Sequence, residues 1–104
     1  MKNILLVDDE ANDRMLRSGP IENIYGSGSV SEATSGQEAL DYIVQQTPDL
    51  VLMDIEMPGF SGIETAKRMR AAGYTNPIVL WTARASLVDR LNPSELGVDD
   101  IVDK

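Results

Sequence analysis

Three short, unbroken apolar runs stand out against longer mixed stretches: Ile4-Leu5-Leu6-Val7, Leu50-Val51-Leu52-Met53 and Ile78-Val79-Leu80-Trp81, with a weaker run at Ile101-Val102. Runs of this length without polar alternation predict strands buried on both faces, as in a parallel sheet. A further strand is expected around Val30, between the turn formers Gly26-Ser27-Gly28 and Ser35-Gly36. The stretches between the runs carry helical spacing. Ala39, Leu40, Ile43 and Val44 share one face, and Ile63, Ala66 and Met69 form a second stripe that ends at Gly73. Ser35 with Glu38, and Ser61 with Glu64, have the spacing of a capping box at the start of these helices.

The first helix is expected to begin near Ala11, with Met15 and Leu16 facing inward. Gly19-Pro20 should kink or restart it, because Pro20 has no N–H for the carbonyl of Leu16; Ile21 and Ile24 should then continue the buried face. A short helix should follow Thr82. Asn92-Pro93-Ser94-Glu95 reads as the N-cap, first-turn proline and capping acid of another. The order β-α-β-α-β-α-β-α-β predicts an α/β fold, a doubly wound parallel sheet with helices on both faces. Right-handed crossovers bring the C-terminal ends of all its strands to one edge, where ligands bind in open sheets of this kind.

Composition narrows the chemistry. A chain of 104 residues fits one domain, and 42% hydrophobic content is too high for a disordered acidic tail. The formal charge of −8, with no basic cluster, predicts no direct nucleic-acid binding and no membrane-surface partner. The apolar run after Met1-Lys2-Asn3 is too short for a signal peptide, and a cytoplasmic location is expected. With no Cys there is neither disulfide nor thiolate chemistry, and with no His the commonest general base is missing. Carboxylates, hydroxyls and lysine must therefore carry the function.

Those residue types stand where the strands end. The first run is followed by Asp8-Asp9-Glu10, the second by Asp54, the third by Thr82 and the last by Lys104. Two carboxylates ~4 Å apart repel by about 4 kcal/mol at an effective dielectric of 20, so a positive partner is needed. Lys104 can offset part of this, and a hard divalent ion such as Mg²⁺ can offset more through oxygen ligands. A carboxylate can itself be the nucleophile in phosphoryl chemistry, and Asp54, alone after the most apolar run, is best placed for that role. Thr82 can donate to a phosphoryl oxygen and Lys104 can pair with it. Each residue alone reads as a helix cap or a solvated strand end. Together, at successive strand ends, they read as a site. Glu10, Asp13 and Asp49 read as solvated or capping residues, Asp99-Asp100 as a turn, Arg68 and Arg70 as the outer face of a helix, and Trp81 as core.

At these residues the chain resembles the receiver domains of two-component response regulators. The carriers are Ile4-Leu5-Leu6-Val7-Asp8-Asp9-Glu10, Val51-Leu52-Met53-Asp54-Ile55-Glu56-Met57-Pro58-Gly59, Thr82-Ala83 and Gly97-Val98-Asp99-Asp100-Ile101-Val102-Asp103-Lys104. The resemblance implies a flavodoxin-like five-stranded sheet in the order 2-1-3-4-5. It implies Asp54 as phosphoacceptor and Thr82 and Lys104 as ligands of the phosphoryl oxygens. Mg²⁺ would be held by Asp9 and Asp54 directly, by Asp8 through water and by the backbone carbonyl of Glu56. The implied donor is a sensor histidine kinase or a histidine phosphotransfer protein, and a homodimer is a candidate assembly. The chain departs from the family in three ways: Ile101 replaces an aromatic residue, Asn92-Pro93 interrupts the fourth helix, and no final helix follows Lys104. Residues 1–104 are thus expected to be a single receiver domain, truncated at its C-terminus and without an output domain. The native chain is expected to continue, since the missing helix would leave apolar residues of the first, third, fourth and fifth strands partly bare.

Three other readings remain open on the residues alone. A haloacid-dehalogenase-like phosphatase would use an acid pair two residues apart after the first strand, here Asp8 and Glu10. A pseudo-receiver would bind partners without phosphorylation, against the intact set of acids, Thr and Lys. A flavodoxin would need a phosphate cradle where this chain has acids.

Overall fold

Every expected strand forms. In the computed structural model, which describes residues 2–104, the order is β1 (Ile4–Val7), α1 (Ala11–Tyr25), β2 (Val30–Ala33), α2 (Gly36–Gln45), β3 (Leu50–Asp54), α3 (Gly62–Ala71), β4 (Ile78–Thr82), α4 (Ala85–Arg90), α5 (Pro93–Leu96) and β5 (Asp100–Asp103). The strands make one parallel sheet in the order β2-β1-β3-β4-β5. Among the described residues no helix follows β5; the last helices, α4 and α5, are short and precede it.

Register gives the sheet two different faces. Val7, Met53, Leu80 and Ile101 lie in one row across it, all buried. Ala39 of α2, Ala66 and Met69 of α3, and the partly buried Val88, Leu91 and Leu96 pack against this side. Ile101 is thus an ordinary core residue of β5. The opposite row, Leu6, Leu52 and Val79, is covered by α1 only in part: Leu6 is buried, whereas Leu52, Val79 and Val102 are half-buried.

α1 departs from expectation. It runs unbroken through Pro20, neither stopped nor restarted. Pro20 and Leu16 both lie on the solvent side, so water can satisfy the carbonyl that the proline leaves without a donor. Met15, Leu16 and Ile24 are exposed, not buried. The inward face carries arginines instead: Arg14 donates to the Asp8 carbonyl (2.7 Å) and to Glu32 (2.8 Å), and the Arg17 guanidinium lies 4.4 Å from the Trp81 ring centroid. Long arginine stems bury apolar surface while the head finds a partner, so an apolar stripe was the wrong guide to this helix's orientation. Val44 of α2 is likewise exposed, although Ala39, Leu40 and Ile43 face the core as expected.

The capping serines act as expected, each accepting from the amide three residues on: Glu38 N to Ser35 Oγ at 3.1 Å and Glu64 N to Ser61 Oγ at 3.2 Å. The return arm of each box is redirected. Glu38 binds Thr34, whose hydroxyl and amide hydrogen bonds hold its carboxyl below the usual range, and Glu64 pairs with Arg68. Asn92 caps α5 through Ser94 N.

Two expectations near α3 need correction. Arg70 is no outer-face residue: it donates to the carbonyls of Tyr74, Asn76 and Gly97 and pairs with Asp99. Asp99 in turn accepts from Ile78 N at 2.8 Å, so it fastens the start of β4 rather than forming a free turn, while Asp100 opens β5. Burial pushes the Tyr74 hydroxyl, which donates to the Pro48 carbonyl at 2.9 Å, up to about 12. The folded state then keeps a proton that the unfolded chain loses above pH ~10, so Tyr74's contribution is full below pH 10 and is lost as pH rises toward 12. Urea melts at pH 9 and 11.5 should show wild type losing more stability than Tyr74→Phe, the difference being at most about 2 to 3 kcal/mol. Equal losses would contradict the assignment.

Candidate functional site

The sheet's C-terminal edge gathers the residues that follow the strands. Asp8 follows β1, Asp54 and Thr82 are the last residues of β3 and β4, and Lys104 follows β5. The three that end β1, β3 and β4 repeat one local device. Asp8 Oδ1 accepts from Glu10 N (3.0 Å), Asp54 Oδ1 from Glu56 N (3.1 Å) and Thr82 Oγ1 from Arg84 N (3.0 Å). Each side chain bonds the amide two residues on, which turns the chain out of the sheet and fixes the side chain's direction at once. The loop after Asp54 is held close as well. Gly62 N donates to Ile55 O (2.8 Å), and a Cβ at Gly62 would run into the Asp54 carbonyl, so only glycine fits there.

Asp8, Asp9 and Asp54 bring one carboxylate oxygen each within 4.8 Å of one another, with Asp8 and Asp54 buried and Asp9 open to solvent. Lys104 supplies the counter-charge. Its Nζ lies 2.9 Å from Asp54 Oδ2, 3.2 Å from Asp13 Oδ2 and 3.3 Å from Asp8 Oδ2. Burial works against the ammonium, but its hydrogen bonds to Asp54 and Asp13 and the charges of Asp54 and Asp8 outweigh it and raise its pKa above the ordinary lysine range. Thr82 is fully buried; its hydroxyl donates to Glu56 Oε1 at 3.3 Å, and Arg84 stands 3.9 Å from the same oxygen.

The structure therefore brings together Asp8, Asp9, Asp54 and Lys104, with Thr82 and Glu56 hydrogen-bonded beside them. It also adds Asp13, whose sequence setting suggests only a solvated or capping role: the residue is half-buried and bound to Lys104. The available signal was its spacing, four residues after Asp9 and in the first turn of α1, which puts it over the same strand end. Three oxygen donors of negative charge suit a hard divalent cation and no soft metal.

An open parallel sheet whose C-terminal edge carries acids, a hydroxyl and a lysine is a small α/β domain with an edge consistent with a phosphorylation site. The chain belongs to the response regulator receiver domain family, whose profile matches residues 4–104, a family of two-component signalling rather than of enzymes. It is 38% identical over 102 residues to the response regulator MprA of Mycolicibacterium vanbaalenii, covering 97% of this chain and 43% of that protein. It is 35% identical over 102 residues to the uncharacterized transcriptional regulatory protein YkoG of Bacillus subtilis, covering 98% and 44%. The chain thus spans less than half the length of these curated relatives. Among solved structures, the response regulator TrrA of Thermotoga maritima in complex with Mg²⁺-BeF matches with a TM-score of 0.87 and 38% identity, covering 100% of this chain and 87% of that one. TrrA has also been crystallised in complex with the histidine kinase ThkA. The chemotaxis response regulator CheY4 of Vibrio cholerae matches with a TM-score of 0.84 and 26% identity, covering 100% and 87%. No helix among the described residues is long and apolar enough to cross a membrane.

Removing Lys104 should expose what it offsets. Lys104→Met leaves two buried carboxylates without their counter-charge and should lower stability in metal-free buffer by about 3 kcal/mol, read by urea denaturation. An unchanged midpoint would mean that the ammonium is not what holds the acids together.

Proposed function

We infer that this domain accepts a phosphoryl group on Asp54 from a sensor histidine kinase or a histidine phosphotransfer protein, in a Mg²⁺-dependent reaction, and so switches a partner or output surface. The reading rests on one observation above all: Asp54 is buried at the end of β3, shares its edge with Asp8 and Asp9, and holds Lys104 at 2.9 Å. The solved TrrA complexes with Mg²⁺-BeF and with ThkA support it by similarity.

In the reaction an Asp54 carboxylate oxygen attacks the phosphorus of the donor's phosphohistidine. The new O–P bond forms as the P–N bond breaks, and the electron pair leaves with the imidazole nitrogen. Lys104 and Thr82 donate to the phosphoryl oxygens. Asp9 and Asp54 would hold Mg²⁺ directly, with Asp8 helping through water and Glu56 through its backbone oxygen. When bound, the ion neutralises the charge that gathers on the transferred group. The fixed turns after β1, β3 and β4 hold the acids and the hydroxyl in place beforehand, so little reorganisation accompanies transfer. Residues 1–104 would form the receiver domain; its place of action is the cytoplasm, where such a donor kinase would present its phosphohistidine.

Two measurements test this. Acetyl phosphate with Mg²⁺ should label the wild type at one site, and Asp54→Asn should abolish labelling; stoichiometric modification of the variant at another residue would overturn the assignment. Mg²⁺ alone should raise the melting temperature, since a ligand of the folded state stabilises it. Asp9→Ala should remove most of that rise. An equal rise in both proteins would place the ion elsewhere.

A further inference from the structure

Of the three carboxylates that bind Lys104, Asp13 alone lies outside the oxygen triad. Its side chain is 34% exposed, against 0% for Asp8 and 7% for Asp54, and Lys104 is its hydrogen-bond partner. A lysine ammonium has three N–H bonds, and here Asp8, Asp13 and Asp54 take all three. Transfer turns the Asp54 carboxylate into an acyl phosphate, which can give up one of these bonds, and brings three phosphoryl oxygens; Lys104 can give them a second bond only by releasing Asp8 or Asp13. Asp8 is wholly buried and cannot turn to water, whereas Asp13 can. A cation held by Asp8, Asp9 and Asp54 would neutralise those acids and leave Asp13 as the remaining acid with a claim on the ammonium.

We propose that Asp13 is a positioning residue that holds the Lys104 ammonium at the rim of the unphosphorylated site, so that Lys104 must leave Asp13 to pair fully with the phosphoryl group. The inference rests on the phosphoacceptor reading of Asp54. Its consequence is a resting state biased against the phosphorylated one by competition for a single cation. Neutralising Asp13 without changing its shape should then favour an anion on Asp54. The carboxylate's own exposure keeps the effect moderate.

The test is the affinity for beryllofluoride in saturating Mg²⁺, followed by ¹⁹F resonance and by emission of Trp81, the neighbour of Thr82. Asp13→Asn should bind roughly 3- to 10-fold more tightly than wild type, in line with loss of one competing charge-assisted hydrogen bond. Asp13→Glu, which restores a carboxylate on the same turn, should return the affinity toward wild type. Glu10→Gln, which removes an exposed acid near the site that does not touch Lys104, should change it less than about twofold on the ground that screening weakens such charges. Equal gains from Asp13→Asn and Glu10→Gln would assign the effect to net charge and overturn the proposal, as would no gain from Asp13→Asn. Failure of the wild type itself to bind beryllofluoride would overturn the phosphoacceptor reading and this inference with it.

Discussion

Asp8 and Asp54 lie buried at the end of an apolar sheet, and a carboxylate out of water is destabilising by several kcal/mol unless a counter-charge and hydrogen bonds compensate it. Lys104 supplies the charge, and the amides of Glu10 and Glu56 supply the bonds. Nearly everything else at this edge follows from that balance. The chain must turn within two residues of each strand so that an amide can face back, and α3 must start close enough to crowd the Asp54 carbonyl, which leaves room only for Gly62. The last residue of the sheet edge has to be cationic and long enough to reach two strands away from β5, across β4 to β3 and on to β1.

The two faces of the sheet solve their packing differently. On one side helices α2 to α5 supply small and aliphatic residues, and the core is continuous. On the other, α1 meets the sheet with two arginines. Arg17 covers Trp81 and Arg14 ties the start of the helix to the Asp8 carbonyl, so the helix that carries Asp13 is aligned by polar contacts to the same strand end it serves. Arg70 plays a comparable part at the opposite end of the strands, gathering the carbonyls of Tyr74, Asn76 and Gly97 with Asp99 beside the start of β4.

What the sequence made legible was whatever depends on local pattern. Unbroken apolar runs marked β1, β3 and β4. Ser35, Ser61 and Asn92 marked helix starts, and the residues after each run marked the site edge, because parallel topology leaves them nowhere else to converge. What it hid depends on tertiary choice. Met15, Leu16 and Ile24 look like a buried stripe, yet which face of α1 turns inward is decided by what its arginines can reach. Pro20 looks like a break, yet its cost is small where the orphaned carbonyl faces water. Asp13, Arg70 and Asp99 read as surface charges, since a partner 29 or 91 residues away leaves no trace in local spacing.

The Lys104–Asp8 contact joins residues 96 positions apart, and Asp54 sits midway between them. Strands β1, β3, β4 and β5 must all be in register before Asp54 has its neighbouring acids, its hydroxyl and its ammonium together. During synthesis Asp54 leaves the ribosome well before Lys104, as a carboxylate without the surroundings of the finished site. A nascent or half-unfolded chain therefore lacks the assembled edge. Under the function proposed above, transfer would carry an inbuilt proofreading of the fold, in which only a finished sheet could receive the message.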